Sequence, residues 1–308
     1  NLNNHIGVPL TLLALDESVD VGIIEMGTNH PGEMKVLCDL AEPDFGIVTN
    51  VGKEHLEGFK DLEGIAREES ELYLKLIQND GFALINLDDP WLGNMFKRFK
   101  KCFGYSIHKT EADLRAVIHR SMPQLEIEFV FQGENYGPYT AEIGGSYNAY
   151  NMLASIAAGV SLGGDLENCI RAACAYVPAN NRSEWKRTTN RNIWMDAYNA
   201  NPSSMGAALR SFAEMGKDGA VLLGDMLELG DHAQDEHKAI FELAVSLGFG
   251  ELYVCGPEFK RAAGAYPHAF EDTQSLLSWF EKNPVTSKYA LIKGSRGMKM
   301  ESLLPVLE

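Results

Sequence analysis

Hydrophobic residues return along this chain in two alternating rhythms. Short apolar runs rich in Val, Ile and Leu alternate with longer segments whose apolar positions recur every three or four residues. The runs Val19–Met26, Phe45–Val51 and Phe82–Leu87 predict strands with helices between them, the signature of a parallel sheet built from strand–helix–strand units. From Ala116 to Ile143 the period shortens to two, as in QLEIEFVF, and an antiparallel hairpin with GENYGPY as its turn region is expected there. Helical periods follow around Asn148–Val160 and Leu166–Tyr176. The stretch VPANNRSEW, with Pro178 and two Asn, reads as an interdomain joint. A second alternation begins beyond it, with strands near Ile193–Asp196, Ala220–Leu223, Glu251–Val254 and Tyr289–Ile292. The expected fold class is therefore α/β in two domains. Residues 1–180 carry a mostly parallel sheet, incomplete at its N-terminus, with the hairpin appended, and residues 181–308 form a Rossmann-like domain.

At 308 residues the chain is long enough for two cores, and its 45% hydrophobic and 23% charged content is ordinary for a globular protein. The net charge of −16 has no basic run to interrupt it, so neither nucleic acid nor an anionic membrane surface is expected as a partner. Any anionic substrate must be gripped locally. Five cysteines, odd in number and without a CxxC pair, fit a reducing cytoplasm better than a disulfide framework or a zinc site. No apolar stretch has the length of a membrane span. The opening NLNNHIGVPL has no initiator Met and reads like the middle of something, so the natural protein is expected to begin earlier.

Open parallel sheets collect ligands beyond the carboxyl ends of their strands. Glu25 closes the run VGIIEMG, and the loop TNVGKEHLEGF brings His55 after the strand that begins at Phe45. Two such loops could set Glu25 and His55 around one Mg²⁺, which takes carboxylate oxygen readily and imidazole as a minor ligand. A turn or capping role explains His55 equally. In DLEGIAREESELYLKLI, residues Leu62, Ile65, Ala66, Leu72, Tyr73 and Leu76 trace one helical face, and Glu69 falls on it at i+7 from Leu62, whereas Glu68 and Glu71 are expected to point elsewhere. An inward carboxylate needs a cation. A metal shared with His55 is one candidate; Arg67 or Lys75 reaching over is the other.

Further on, Asn148, Asn151 and Ser155 make a polar stripe at i, i+3 and i+7 that suits a base or ribose, or caps the helix. In NIWMDAYNANPSSM, Asn201 and Pro202 are the N-cap and first position of a helix. Asp196, Tyr198 and Asn199 have no such structural reason, and an acid at a strand end can bond ribose hydroxyls. YALIKGSRGMKME delivers Lys293, Ser295 and Arg296 just past a strand, where cations in so acidic a protein suit a carboxylate or phosphate, or are scattered surface charge.

Taken together, NNHIGVPLTLL, IIEMGTNHPGE, TNVGKEHLEGF, YNAYNMLA, NRSEW, DAYNANPSSM, LLGDMLELG and IKGSRGMKME resemble the Mur ligases, in that family's order across nearly the whole chain. The blocks are most similar to the branch that joins D-alanyl-D-alanine to UDP-N-acetylmuramoyl-tripeptide. The resemblance implies an ATPase-type central domain and a C-terminal domain. It also implies a cytoplasmic, ATP- and Mg²⁺-dependent step of peptidoglycan synthesis through an acyl phosphate. By the same resemblance Glu25 and His55 are Mg²⁺ ligands, Asn148 and Asn151 nucleotide-side asparagines, Arg182 a contact to ATP phosphates and Asp196 a ribose contact. Asn4, Tyr198, Asn199, Lys293, Ser295 and Arg296 fall to the substrates.

Three departures stand out. Glu69 occupies the position where many members carry a carbamylated lysine, and we expect it to replace that anion at a second Mg²⁺ site. The joint reads NNRSE where many relatives have Gly before the arginine. The family's UDP-binding domain and its GxxxxGK[ST] phosphate loop do not occur in these residues, so weak or absent ATP turnover is expected of them alone. An edge left unpaired by that truncation is expected to favour association. A folylpolyglutamate synthetase-like ligase and a non-catalytic binding module are the competing readings; DAYNANP and KGSRGMKME argue against the first.

Overall fold

The computed structural model describes residues 2–307. It contains two six-stranded sheets. The first is made of β1 (Phe45–Val48), β2 (Phe82–Asn86), β3 (Cys102–Ser106), β4 (Leu114–Arg120), β5 (Glu126–Phe131) and β6 (Glu134–Thr140), side by side in chain order. β1 to β4 are parallel. The helices that accompany this sheet are α1 (Gly7–Leu13), α2 (Glu33–Ala41), α3 (Leu56–Phe59), α4 (Leu62–Gln78), α5 (Ser146–Ser161) and α6 (Leu166–Cys174). Met34, Cys38, Leu72, Tyr73 and Leu76 of α2 and α4 bury against Val48, Ala83 and Ile85 of β1 and β2, a layer packing that follows from the apolar stripe of each helix.

The second sheet runs β11-β10-β9-β12-β8-β7, where β7 is Glu184–Arg187, β8 Asn192–Asp196, β9 Ala220–Gly224, β10 Glu251–Cys255, β11 Ala269–Phe270 and β12 Tyr289–Lys293. All its pairs are parallel except β7 with β8. Its helices are α7 (Pro202–Ala213), α8 (Ala233–Leu247), α9 (Pro257–Ala263), α10 (Thr273–Phe280) and α11 (Leu304–Leu307). Because β12 returns between β8 and β9, the carboxyl ends of those three strands lie side by side where the chain reverses direction across the sheet. That is the position at which open α/β sheets receive ligands. By Cα proximity, residues 1–117, 129–136 and 150–169 form one compact unit and residues 118–128, 137–149 and 170–308 another.

The expected α/β class with two mostly parallel sheets and a hairpin is what the chain adopts. Three local expectations are corrected. Val19–Met26 is not a strand: among the described residues it pairs with no ladder, and its flanking main-chain bonds run from Val19 N–H to Asp16 and from Gly27 N–H to Asn3. Val19, Val21 and Ile23 are left exposed, Ile23 at 90%, while Met26 packs against the core; β1 pairs only with β2 and offers this segment no ladder. The hairpin turns at Gln132–Gly133, so only the first residue of GENYGPY lies in the turn and the rest belongs to β6. Both turn residues have positive φ, 51° and 85°, as a tight two-residue hairpin demands. The strand begun at Phe45 ends at Val48, three residues early, because Val51 N–H is taken by the Asp89 carboxylate at 2.8 Å instead of a ladder.

β1 is an edge strand whose own Phe45 is exposed, and Leu13, Val21 and Ile23 of the same unit are exposed too. Unpaired edges beside apolar surface template association. The purified 308-residue chain is expected to shift to larger species as concentration rises, read by size exclusion with light scattering; a monomer at every concentration would contradict this.

Candidate active site

In the first unit, three pieces of chain distant in sequence are locked together. Gly58 of α3 sits against the Asn29 carbonyl so closely that a Cβ would lie 1.9 Å from that oxygen, which holds the His55 loop on the loop that follows Glu25. From α4, the Glu68 carboxylate accepts hydrogen bonds from Gly32 N–H (2.7 Å), Met34 N–H (2.7 Å) and the Thr28 hydroxyl (3.3 Å), clamping the same loop and the start of α2. Here the sequence reading is corrected. Glu68, expected to point outward, is only 6% exposed, while Glu69 is half-buried. The inward stripe is centred on Ile65, Leu72 and Leu76, and Leu62, from which the phase of Glu69 is counted, is itself half-buried.

Among the described residues Glu69 has no cationic partner. Arg67 pairs with Glu63 at 3.2 Å and Lys75 with Asp39 at 2.7 Å, so neither alternative partner serves it. Burial first, then the charges of Glu54 and Glu68, push its carboxyl up to about 7. Burial also raises Glu54, the residue before His55. His55 stands at the N-cap position of α3 with left-handed backbone at φ 49°, its carbonyl accepting from Gly58 and Phe59 N–H and its side chain making no cap bond. Left-handed non-glycine backbone is strained and concentrates at functional sites. The exposed Glu25 accepts from the Asn3 amide at 3.2 Å. Among the described residues no three His, Cys, Asp or Glu side chains are gathered as a finished metal site. Glu69 and Glu54, both raised by burial, offer the carboxylate oxygen that Mg²⁺ prefers, and His55 follows Glu54 in the chain.

In the second unit the register of the sheet sets the chemistry. Lys293 and Asp196 are direct partners at the ends of β12 and β8. Lys293, 2% exposed, donates to Asp196 at 2.6 Å and to the Asn199 carbonyl at 3.3 Å. The other Asp196 oxygen accepts from Ser183 N–H at 3.0 Å. Ser183 in turn meets the Tyr147 hydroxyl (2.8 Å) and the Asn148 amide (3.3 Å). Burial, with the Asp196 charge second, drives the Tyr147 phenol far above its ordinary range, so it stays neutral. Asn148 is buried and also donates to the Gly144 carbonyl, whereas Asn151 and Ser155 are exposed. The expected stripe therefore divides between a helix anchor and two accessible positions.

The joint adopts left-handed backbone at Asn180, Asn181 and Ser183. Asparagine is among the residues that enter this region most readily after glycine, which accounts for Asn180 and Asn181. The exposed Arg182 beside it stacks on the Tyr198 ring, 3.7 Å from the centroid, and Arg296 approaches the same ring at 5.4 Å. Ser295 accepts from Leu227 N–H and donates to the Ala200 carbonyl, a fastening role between loops. Asn199 is exposed, its side chain accepting from Ala200 N–H. Asn4 accepts from Ile6 and Gly7 N–H and so caps α1.

The sequence reading passed over the acidic strand ends in INLDDP and LLGDM, although the rule that picks out Glu25 and Asp196 covers them. Asp89 fixes Val51, Trp91 and Leu92 N–H, thereby shaping the loop that carries His55. Asp88 gathers Ser106, Ile107, His108 and Tyr150. Asp225 accepts from Glu258 and Phe259 N–H at the start of α9, and the buried His237 accepts from Met226 N–H.

Residues 1–159 match the Mur ligase middle domain, and residues 181–296 match the Mur ligase, glutamate ligase domain. The chain belongs to the Mur ligase family and is therefore an enzyme of the ligase class. It is 33% identical over 317 residues to the UDP-N-acetylmuramoyl-tripeptide--D-alanyl-D-alanine ligase of Bacillus subtilis (strain 168), covering 99% of this chain and 68% of that one. The ligase of the same name from Escherichia coli (strain K12) is 32% identical, covering 100% and 70%. Among solved structures, MurF from Acinetobacter baumannii superposes with a TM-score of 0.89 at 25% identity, over 100% of this chain and 69% of that chain. MurF from Thermotoga maritima in complex with ADP shares the fold, with a TM-score of 0.85 at 21% identity over 100% and 71%.

Proposed function

We propose that this chain serves in the ATP- and Mg²⁺-dependent joining of D-alanyl-D-alanine to UDP-N-acetylmuramoyl-tripeptide, a cytoplasmic step of peptidoglycan synthesis. The observation that carries this reading is the match of the whole chain to relatives bearing that name at 32–33% identity. In the reaction, the tripeptide carboxylate takes the γ-phosphoryl group of ATP and ADP leaves. The dipeptide amine then attacks the acyl carbon, and phosphate departs with the C–O bond. Residues 1–180 would act as the ATP domain and residues 181–308 as the C-terminal ligase domain.

Glu25, His55 and Glu69 would hold Mg²⁺, whose charge offsets that of the phosphoryl group in transfer. The half-buried Glu69 without a cation supports its part. Glu68, Asp89 and the Gly58 contact keep the loops of Glu25 and His55 in place. Asn151 and Asp196 would meet the nucleoside, with Asn148 anchoring the helix that carries Asn151. Arg182 would meet the phosphates, where a guanidinium's planar fork suits several oxygens at once. Asn4, Tyr198, Asn199, Lys293, Ser295 and Arg296 would shape the substrate side, Lys293 and Ser295 mainly by fastening their neighbours.

The test is ADP release by the protein expressed from its complete reading frame, given UDP-linked tripeptide, with and without D-alanyl-D-alanine. Release that requires both substrates is expected. Release indifferent to the dipeptide overturns the reading. Because no GxxxxGK[ST] stretch occurs in the 308 residues, they alone are expected to turn over ATP only weakly.

A further inference from the structure

We propose that His237 is a proton-driven latch on the turn that follows β9: neutral, it holds Met226 in place, and on taking up a proton it lets Met226 go and turns to Asp225. The turn lies past the carboxyl end of β9, on the edge where an open α/β sheet receives ligands, so the latch makes the shape of that edge depend on pH.

His237 is wholly buried in α8, and both of its ring nitrogens are engaged. Met226 N–H meets Nε2 at 2.9 Å. A main-chain N–H can only donate, so Nε2 presents its lone pair and the ring hydrogen is on Nδ1, which donates to the Ala233 carbonyl at 2.6 Å. The neutral ring is satisfied at both ends and ties the end of β9 to α8. A proton from water added at Nε2 takes up that lone pair and sets two donors against each other at 2.9 Å, so the bond from Met226 must break. The new N–H has an acceptor at hand, since Asp225 Oδ1 stands 3.6 Å from Nε2. A cation without any exposure is costly, and a carboxylate beside it offsets the cost.

Asp225 is fixed, so the movement falls to Met226. The Asp225 carboxylate accepts from Glu258 N–H at 2.9 Å and Phe259 N–H at 2.8 Å, and Gly256 packs so closely that a Cβ there would lie 2.3 Å from the carboxyl carbon. Beyond Met226 the turn is open: Leu227 and Glu228 are exposed, and Glu228 holds left-handed backbone at φ 64°, a strain that an unlatched turn can relax. The other charged groups on the elements around the ring are paired or lie toward solvent. From α9, Phe259 sets its ring edge-on to the imidazole with centroids 4.7 Å apart, while the Glu258 carboxylate pairs with Arg261 at 2.6 Å. Arg210 of α7, Asp231 and His232 before α8, and Asp235 and Lys238 on it are exposed, and Glu236 is half-buried.

Protein from its complete reading frame, carrying ¹⁵N in His, Met and Leu, would be followed by NMR from about pH 8 to about pH 5, the range in which an imidazole ordinarily changes charge. At the upper end the His237 ring should show a hydrogen on Nδ1 and none on Nε2. As pH falls, Nε2 should become protonated, and over the same pH values the exchange protection of the Met226 amide, taken against a free amide at each pH, should drop about 3- to 10-fold, the worth of one main-chain hydrogen bond. Leu223, inside the β9 ladder, should keep its protection. His237→Gln, whose amide oxygen can accept from Met226 without titrating, should hold the Met226 protection level throughout. A ring that stays neutral to pH 5 would overturn the proposal, as would Met226 protection lost while the ring is still neutral, or lost equally at Leu223. An unchanged pH response in His237→Gln would do the same. The ring and amide signals are read on the unaltered protein, so the outcome is decided even if His237→Gln does not fold.

Discussion

Glu69→Gln is expected to cut turnover about 10²- to 10³-fold, the usual cost of removing one electrostatic contributor to a charged transition state, and to raise the Mg²⁺ concentration needed for half-maximal rate. The amide keeps size and hydrogen bonding but removes the charge. Without Mg²⁺ the same change should act in the opposite direction on stability. The Glu69 carboxyl ionises at about 7 in the folded chain against an ordinary value of 4.5, chiefly through burial and then through Glu54 and Glu68. A carboxylate raised in this way is a burden on the fold that is absent below pH 4.5, grows as pH rises, and is complete above 7. The metal-free variant should therefore melt higher than the parent at pH 8, with the gap closing toward pH 5. Mg²⁺ should raise the melting temperature of the parent more than that of the variant. Unchanged turnover and an equal Mg²⁺ response in both would remove Glu69 from the metal site.

Lys293→Met is expected to destabilise the fold by about 3–5 kcal/mol, because it strands the Asp196 charge in a buried site. Urea unfolding would read this directly, with the midpoint falling while the slope is kept. The double change Lys293→Met with Asp196→Asn should recover most of the loss, since it is the unpaired charge that is costly. A single-variant cost under about 1 kcal/mol would show the pair to be no more than a surface salt bridge in effect. Lys293 thus holds Asp196, whose other oxygen fixes the Ser183 turn.

The alternation of apolar runs and helical periods determined the class of fold, and it did so because a strand buried on both faces must be apolar throughout. β8, β9, β10 and β12 all fall where their Val-, Ile- and Leu-rich runs place them. Asn201 and Pro202 were likewise legible, since capping chemistry is local: the Asn201 side chain accepts from Ser204 N–H at 2.8 Å. Glu25, His55, Asp196 and Lys293 stood out as charges at the ends of apolar runs. What each one touches was beyond the sequence. Val19–Met26 has a strand's composition and no strand, because a ladder needs a neighbour and composition supplies only one side of it. Glu68 and Glu69 differ by one step of a helix, about 100° of rotation, and only the packing of α4 decides which carboxylate clamps the loop at Gly32 and which is left without a cation. Lys293 and Asp196 lie 97 residues apart, and their pairing is a property of sheet register. The same holds for the two arginines on Tyr198. Local chemistry is written in neighbouring residues, but the partner of a charge is chosen by the topology that carries distant strand ends to the same edge.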